Sequence, residues 1–94
     1  MFNEIEKFIN YFIDGSGNRL LLEDLFKYGE NKIEFIISSN NFTTSISVLS
    51  DLTYDFLTID METEDFILNK TKYPKTLDEL FVQINMDLKE FMSL

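Results

Sequence analysis

Apolar residues at the start of the chain recur every three or four positions. Phe2, Ile5, Phe8, Ile9 and Phe12 fall on one side of the segment from Phe2 to Ile13, the stripe of an amphipathic helix. Glu4 and Glu6 in its first turn suit the positive end of a helix dipole. Asp14-Gly15-Ser16-Gly17-Asn18 then stops the helix in a loop. In Leu20 to Tyr28, Leu21, Leu22, Leu25 and Phe26 keep a helix-like spacing, and Gly29 is placed to cap it. Leu20-Leu21-Leu22 would equally start a strand; the reading favoured there is a short helix or irregular segment.

From Lys32 the period changes to two. Ile33, Phe35 and Ile37 alternate with Lys32, Glu34, Ile36 and Ser38, the pattern of a half-buried strand. Ser39-Asn40-Asn41 marks a turn, Thr44 to Leu49 a strand with Ile46 and Val48 on one face, and Ser50-Asp51 the next turn. Thr53 to Met61 is the longest strand candidate. Its expected inner face is Leu57, Ile59 and Met61, which leaves Tyr54, Phe56 and Thr58 outside. Glu62-Thr63-Glu64 turns the chain, and Asp65 to Asn69 brings it back. Such short connections favour an antiparallel meander. After Tyr73-Pro74-Lys75, Thr76 and Glu79 form a capping-box pattern, followed by an apolar stripe of Leu77, Leu80, Phe81, Ile84, Leu88 and Phe91. The expected fold is α+β, an antiparallel β-meander of about four strands. An N-terminal and a C-terminal helix pack on one face, and residues 1–94 form one domain. Phe8, Phe12, Phe35, Phe81 and Phe91 are the expected core aromatics, with Phe2, Phe42 and Phe56 undecided.

Composition narrows the chemistry. The 94 residues carry a formal net charge of −9, with one arginine, no histidine, no cysteine and no tryptophan. Thiol chemistry, disulfides and thiolate metal sites are excluded, and so are the commonest general base and the commonest metal ligand. The sign of the charge argues against direct binding of nucleic acid. The acidic start lacks the basic-then-apolar pattern of a secretory signal, and no stretch approaches the roughly 18 apolar residues of a membrane span. The expectation is a cytoplasmic protein with no membrane contact. The chain has no alanine and is rich in Ile, Asn, Lys and Phe, which suggests an AT-rich, bacterial genome.

Three motifs invite a sharper reading. The loop Asp14–Asn18 opens like a calcium loop, but the positions that need glycine and a bidentate glutamate hold Arg19 and Leu25. Gly15-Ser16-Gly17 lacks the Gly-Lys-Ser/Thr ending of a phosphate cradle. Paired carboxylates could do acid–base work, yet close pairs among 17 acids carry little information, and a domain this small rarely forms a deep cleft. The expectation is a binding protein, not an enzyme, with no cofactor and no metal.

The charge is unevenly placed. Asp51, Asp55, Asp60, Glu62, Glu64 and Asp65 fall in one window with no Lys or Arg between them. One reading is a solvated hairpin whose charges block edge pairing and keep the protein soluble. The reading favoured is a docking surface for a basic partner, because crowded like charges reduce stability, a cost that a cationic partner would offset. Tyr54, Phe56 and Met61 interleave with the acids and are residue types that anchor interfaces. The candidate partner-binding residues are therefore Asp51, Tyr54, Asp55, Phe56, Asp60, Glu62, Glu64 and Asp65. Lys70, Lys72 and Lys75 form the one basic cluster and are placed to discourage pairing at a sheet edge. The chain is expected to be a monomer or a weak homodimer.

From Ile33 to Phe91 the sequence resembles small immunity proteins of bacterial polymorphic and contact-dependent growth-inhibition toxin systems, and within them the TriTu-type immunity family. The resemblance rests on Ser50-Asp51, Tyr54-Asp55, Ile59-Asp60-Met61-Glu62-Thr63 and Thr76-Leu77-Asp78-Glu79-Leu80. A tryptophan associated with the family is missing, and Glu64 stands where a glycine usually follows the Glu-Thr turn. The resemblance implies a cytoplasmic antidote that binds one cognate toxin domain and blocks its active site or substrate groove. Many such toxins are nucleases with basic grooves, which an acidic inhibitor would complement. The same charge also suits an acidic nucleic-acid mimic, such as a phage-encoded inhibitor or regulator of a DNA- or RNA-binding protein. A non-inhibitory adaptor domain is the third reading.

Overall fold

A computed structural model describes residues 1–94. The order is α1 (Phe2–Asp14), β1 (Leu21–Tyr28), β2 (Lys32–Ser39), β3 (Phe42–Leu49), β4 (Tyr54–Asp60), β5 (Phe66–Lys72) and α2 (Leu77–Met92). The five strands form one sheet in sequence order, and each neighbouring pair is antiparallel. The α+β architecture holds, with five strands in place of about four. No helix is long and apolar enough to cross a membrane.

The added strand is β1, which the spacing assigns to a short helix or irregular segment. Its pairing with β2 shifts between Leu22 and Asp24, so Glu23 is an extra residue in a bulge. The bulge puts Leu22 opposite Ile37 and Leu25 opposite Phe35, both on the inner face. Two inward leucines three residues apart mimic a helical period, and pairing with β2 decides in favour of the strand.

Both helices lie on the same side of the sheet. Ile5 and Ile9 of α1 and Leu80, Ile84, Leu88 and Phe91 of α2 pack with Ile33, Phe35, Ile37, Ile46, Val48, Tyr54 and Phe56 in one core. Phe8 of α1 stacks on Phe81 of α2 with ring centroids 4.5 Å apart. Arg19, beyond the end of α1, donates to the Met92 carbonyl at the end of α2 over 3.0 Å. The two helices therefore run side by side in the same direction. Thr76 accepts from the Glu79 N–H at 3.2 Å, as the capping box requires, while the Glu79 carboxylate reaches back to the Lys75 N–H at 2.7 Å.

β4 corrects the expected orientation. Tyr54, Phe56 and Thr58 face the helices and are fully buried, whereas Asp55, Leu57 and Ile59 occupy the opposite face. An alternation of period two gives no phase when both phases are apolar, and the β3 partners choose. Phe56 lies opposite Ile46, Tyr54 opposite Val48 and Thr58 opposite Thr44. The two inward threonines satisfy each other: the Thr58 hydroxyl donates to Thr44 Oγ1 at 3.1 Å, and Thr44 donates to the Leu57 carbonyl at 3.0 Å.

This orientation predicts a sharp asymmetry between adjacent residues. Phe56→Ala should cost about 3–5 kcal/mol, as buried phenylalanines do. Leu57→Ser should cost less than about 1 kcal/mol. Urea unfolding of the two variants checks the difference, and the reverse order would place the wrong face of β4 inside.

Candidate functional site

The structure divides the acidic window into three places. Asp51 lies in the β3–β4 turn, Asp55 near the start of β4, and Asp60, Glu62, Glu64 and Asp65 at the β4–β5 turn. A strand rises about 3.3 Å per residue, so roughly 20 Å of β4 separates Asp51 from the hairpin acids. Tyr54 and Phe56 leave the candidate set because both are buried under α2. Their aromatic surface belongs to the core, with ring centroids 6.5 Å apart.

Two of the acids also shape their turns. Asp51 Oδ1 accepts from the Thr53 N–H at 2.9 Å, and this bond holds the carboxyl below the usual aspartate range. Asp60 Oδ1 accepts from the Glu62 N–H at 2.9 Å and, more weakly, from the Thr63 N–H at 3.4 Å. The turn also places Glu64 in the left-handed region at φ 62°, where glycine is usual. Glu62 accepts from the Asn41 side chain at 3.1 Å, which ties this turn to the β2–β3 turn. What remains is a compact acidic end formed by Glu62, Glu64 and Asp65, beside Met61 and Phe66, which are 60 % and 69 % exposed.

A second feature lies between α2 and the sheet. Asp87 is 1 % exposed, yet it sits on the helix face that carries Ile84, Leu88 and Phe91. The Tyr54 hydroxyl donates to Asp87 Oδ2 at 2.7 Å, the Gln83 amide to the same oxygen at 3.0 Å, and Lys70 Nζ to Oδ1 at 2.9 Å. Lys70 also donates to Glu90 Oε1 at 2.6 Å. Burial is the main reason the Tyr54 phenol is pushed far above its ordinary value, and the Asp87 charge adds to it. The hydrogen bond to Glu90, followed by that to Asp87, raises Lys70. Lys70 is thus drawn toward α2 and belongs to this network as well as to edge strand β5. The sequence signal was faint: Asp87 falls three residues after Ile84, in the apolar stripe.

The third feature is the sheet face away from the helices. Glu34 on β2 accepts from Ser47 at 3.0 Å and Ser45 at 3.2 Å through Oε2, and from the Tyr28 hydroxyl at 3.4 Å through Oε1. Asp55 accepts from Thr71 at 2.6 Å. Leu57 and Ile59 share this face with Ile36 and Phe26. Glu34 stood in the polar phase of an alternating strand, but nothing in the sequence alone marked it from other surface acids.

Between the helices a cleft of about 380 Å³ is lined by Phe8, Tyr11, Phe12 and Met92, with Asn85 and Lys89 also on its wall. No group of three or more carboxylates converges to hold a metal ion. The chain matches no protein-family model, no curated protein and no solved structure.

The Asp87 network makes a pH prediction. Tyr54 and Lys70 both hold their protons more tightly when folded than their ordinary values of 10.0 and 10.5. The unfolded chain therefore loses those protons first. The stability they supply is complete below about pH 10 and falls as pH rises above it. Tyr54→Phe should cost about 1.5–3 kcal/mol at pH 7, the range for a hydrogen bond to a charged group. It should also make the alkaline decline shallower. Urea titrations from pH 7 to 11 measure both effects.

Proposed function

We propose that this chain is a cytoplasmic immunity protein that binds a cognate bacterial toxin domain and occludes its active site or substrate groove. It works by tight non-covalent association and carries out no reaction of its own. The toxin domain is basic where it is bound, as a nuclease groove is. The resemblance across Ile33–Phe91 supplies the functional class. The single observation that carries the mode of action is the acidic end of the β4–β5 hairpin. Glu62, Glu64 and Asp65 are exposed there beside exposed Met61 and Phe66, with no cation in the turn.

The charge argument is quantitative in kind. Opposite fields steer encounter and can raise association rates toward about 10⁸–10⁹ M⁻¹s⁻¹ at low salt. Speed suits an antidote, because an unbound toxin acts from the moment it arrives. Exposed methionine and phenylalanine then supply the apolar contacts that slow dissociation. Asp60 and Asp51 contribute charge, but their first task is to hold their turns.

The test replaces Glu62, Glu64 and Asp65 together by lysine and leaves Asp60 in place to keep the turn. The partner is the toxin domain encoded beside this gene. Association measured by stopped flow should slow by at least tenfold at low salt, with a smaller change in dissociation. Thermal unfolding should change little, since the side-chain contact that the variant loses, Asn41 to Glu62, is exposed. Unchanged association and full protection of cells by the triple variant would remove the hairpin from the mechanism.

A further inference from the structure

Five strands present a broad face that neither helix covers. Its centre is unusual in having small hydroxyl side chains between larger walls. Thr43, Ser45 and Ser47 project from β3, Ile36 and Glu34 flank them on β2, and Leu57 and Asp55 on β4. The pairing puts Ile36, Ser45 and Leu57 in one row, and Glu34, Ser47 and Asp55 in the next. The result is a shallow trough along the central strand, walled by Ile36 and Leu57 at one level; at the next, the Glu34 carboxylate leans from β2 over Ser45 and Ser47, and Asp55 stands on the β4 side.

Glu34 is held in place. Ser45, Ser47 and Tyr28 donate to it, and Lys32 stands 4.0 Å away with its ammonium 5.1 Å from the Tyr28 ring centroid. Its side chain is 21 % exposed. Asp55 is exposed on the other wall, bonded to Thr71. Two neighbouring strand spacings of about 4.8 Å put these residues roughly 10 Å apart across the trough. With the Glu34 carboxylate leaning over Ser47, a guanidinium between it and Asp55 is wide enough to address both, and it tolerates partial burial against Leu57 better than an ammonium does.

We propose that this trough is the seat of an arginine side chain on an apolar loop of a basic partner protein, held between Glu34 and Asp55. The inference rests on the reading of the chain as a partner-binding protein, and it names the chemistry of that partner. Charge decides the occupant. The face displays Glu23, Asp24, Glu34 and Asp55 against Lys32 alone. Two copies packed face to face would oppose like charges, and nucleic acid or an anionic membrane has the same sign.

The probe is the peptide acetyl-Leu-Arg-Leu-amide, titrated into the ¹⁵N-labelled full chain and followed by amide shifts. Saturable shifts are expected at Ser45, Ser47 and Leu57. Replacing arginine by citrulline, which keeps the shape and removes the charge, should weaken binding about tenfold. So should Glu34→Gln, which keeps acceptors for both serines, and Asp55→Asn is a second variant should that one not fold. Absence of saturable shifts, equal binding of the citrulline peptide, equal binding by the variants, or shifts centred on residues 60–65 would overturn the proposal. Sedimentation velocity at 0.15 and 1 M NaCl, roughly an 8 Å and a 3 Å screening length, should give a monomer at both. A dimer dispersed by Leu57→Arg would assign the face to a second copy and overturn it as well. The hairpin variant reports separately: if it still neutralises the toxin, the hairpin mode of action fails while the peptide result at the trough stands.

Discussion

A sheet has two faces, and in this protein the helices can cover one. Residues of α1 and α2 meet the inner residues of β2, β3 and β4 in a single core, and the core aromatics Tyr54, Phe56, Phe35 and Phe91 are all committed to that side. Burying such side chains removes apolar area from water at about 25 cal/mol per Å², the dominant favourable contribution to folding. Every other feature follows from which residues that contact consumes. Asp55, Leu57 and Ile59 are available on the open face because Tyr54, Phe56 and Thr58 are used on the closed one.

The same constraint explains the polar groups that the core takes in. Asp87 lies where α2 crosses β4 and β5, and a buried carboxylate is costly unless hydrogen bonds and an opposite charge compensate it. Tyr54, Gln83 and Lys70 do so from two strands and the helix itself. Thr44 and Thr58 pair in the same way, and no buried side-chain polar atom is without a partner. Such a network depends on registry: sliding α2 along the sheet would strip Asp87 of its donors. Lys70, on an edge strand where lysine discourages pairing with other chains, also anchors the helix that covers β4.

The acidic surface is then two surfaces. One is the tip of the β4–β5 hairpin, where exposed acids sit at the end of the sheet beside Met61 and Phe66. The other lies on the open face toward the opposite end of β4, where Glu34 is fixed by hydroxyl donors and Asp55 faces it across the small side chains of β3. The tip suits long-range attraction, because exposed charges at an extremity shape the field that a partner meets first. The open face suits close contact, because its carboxylate is already ordered and loses little conformational freedom on binding. A binding protein of this size can use both, provided its partner spans most of the length of β4, from Asp55 to the β4–β5 turn.

Elements with an unambiguous period could be assigned from the residues alone. Both helices were legible, α1 from Phe2, Ile5 and Ile9 and α2 from Thr76, Leu80, Ile84 and Leu88. So were β2, the Ile46 and Val48 face of β3, and the antiparallel order that short turns impose. β1 was hidden because a bulge at Glu23 gave two inward leucines a helical spacing. The phase of β4 was hidden because both of its faces are apolar, so Tyr54 and Phe56 read equally well as exposed anchors. Acidic residues could be counted in the chain, but their grouping could not, since turns separate Asp51 from Asp60 by the length of a strand. Tertiary structure decided these points for one reason: a period of two says that neighbours point apart, and only the strands paired alongside decide which of them points toward the helices.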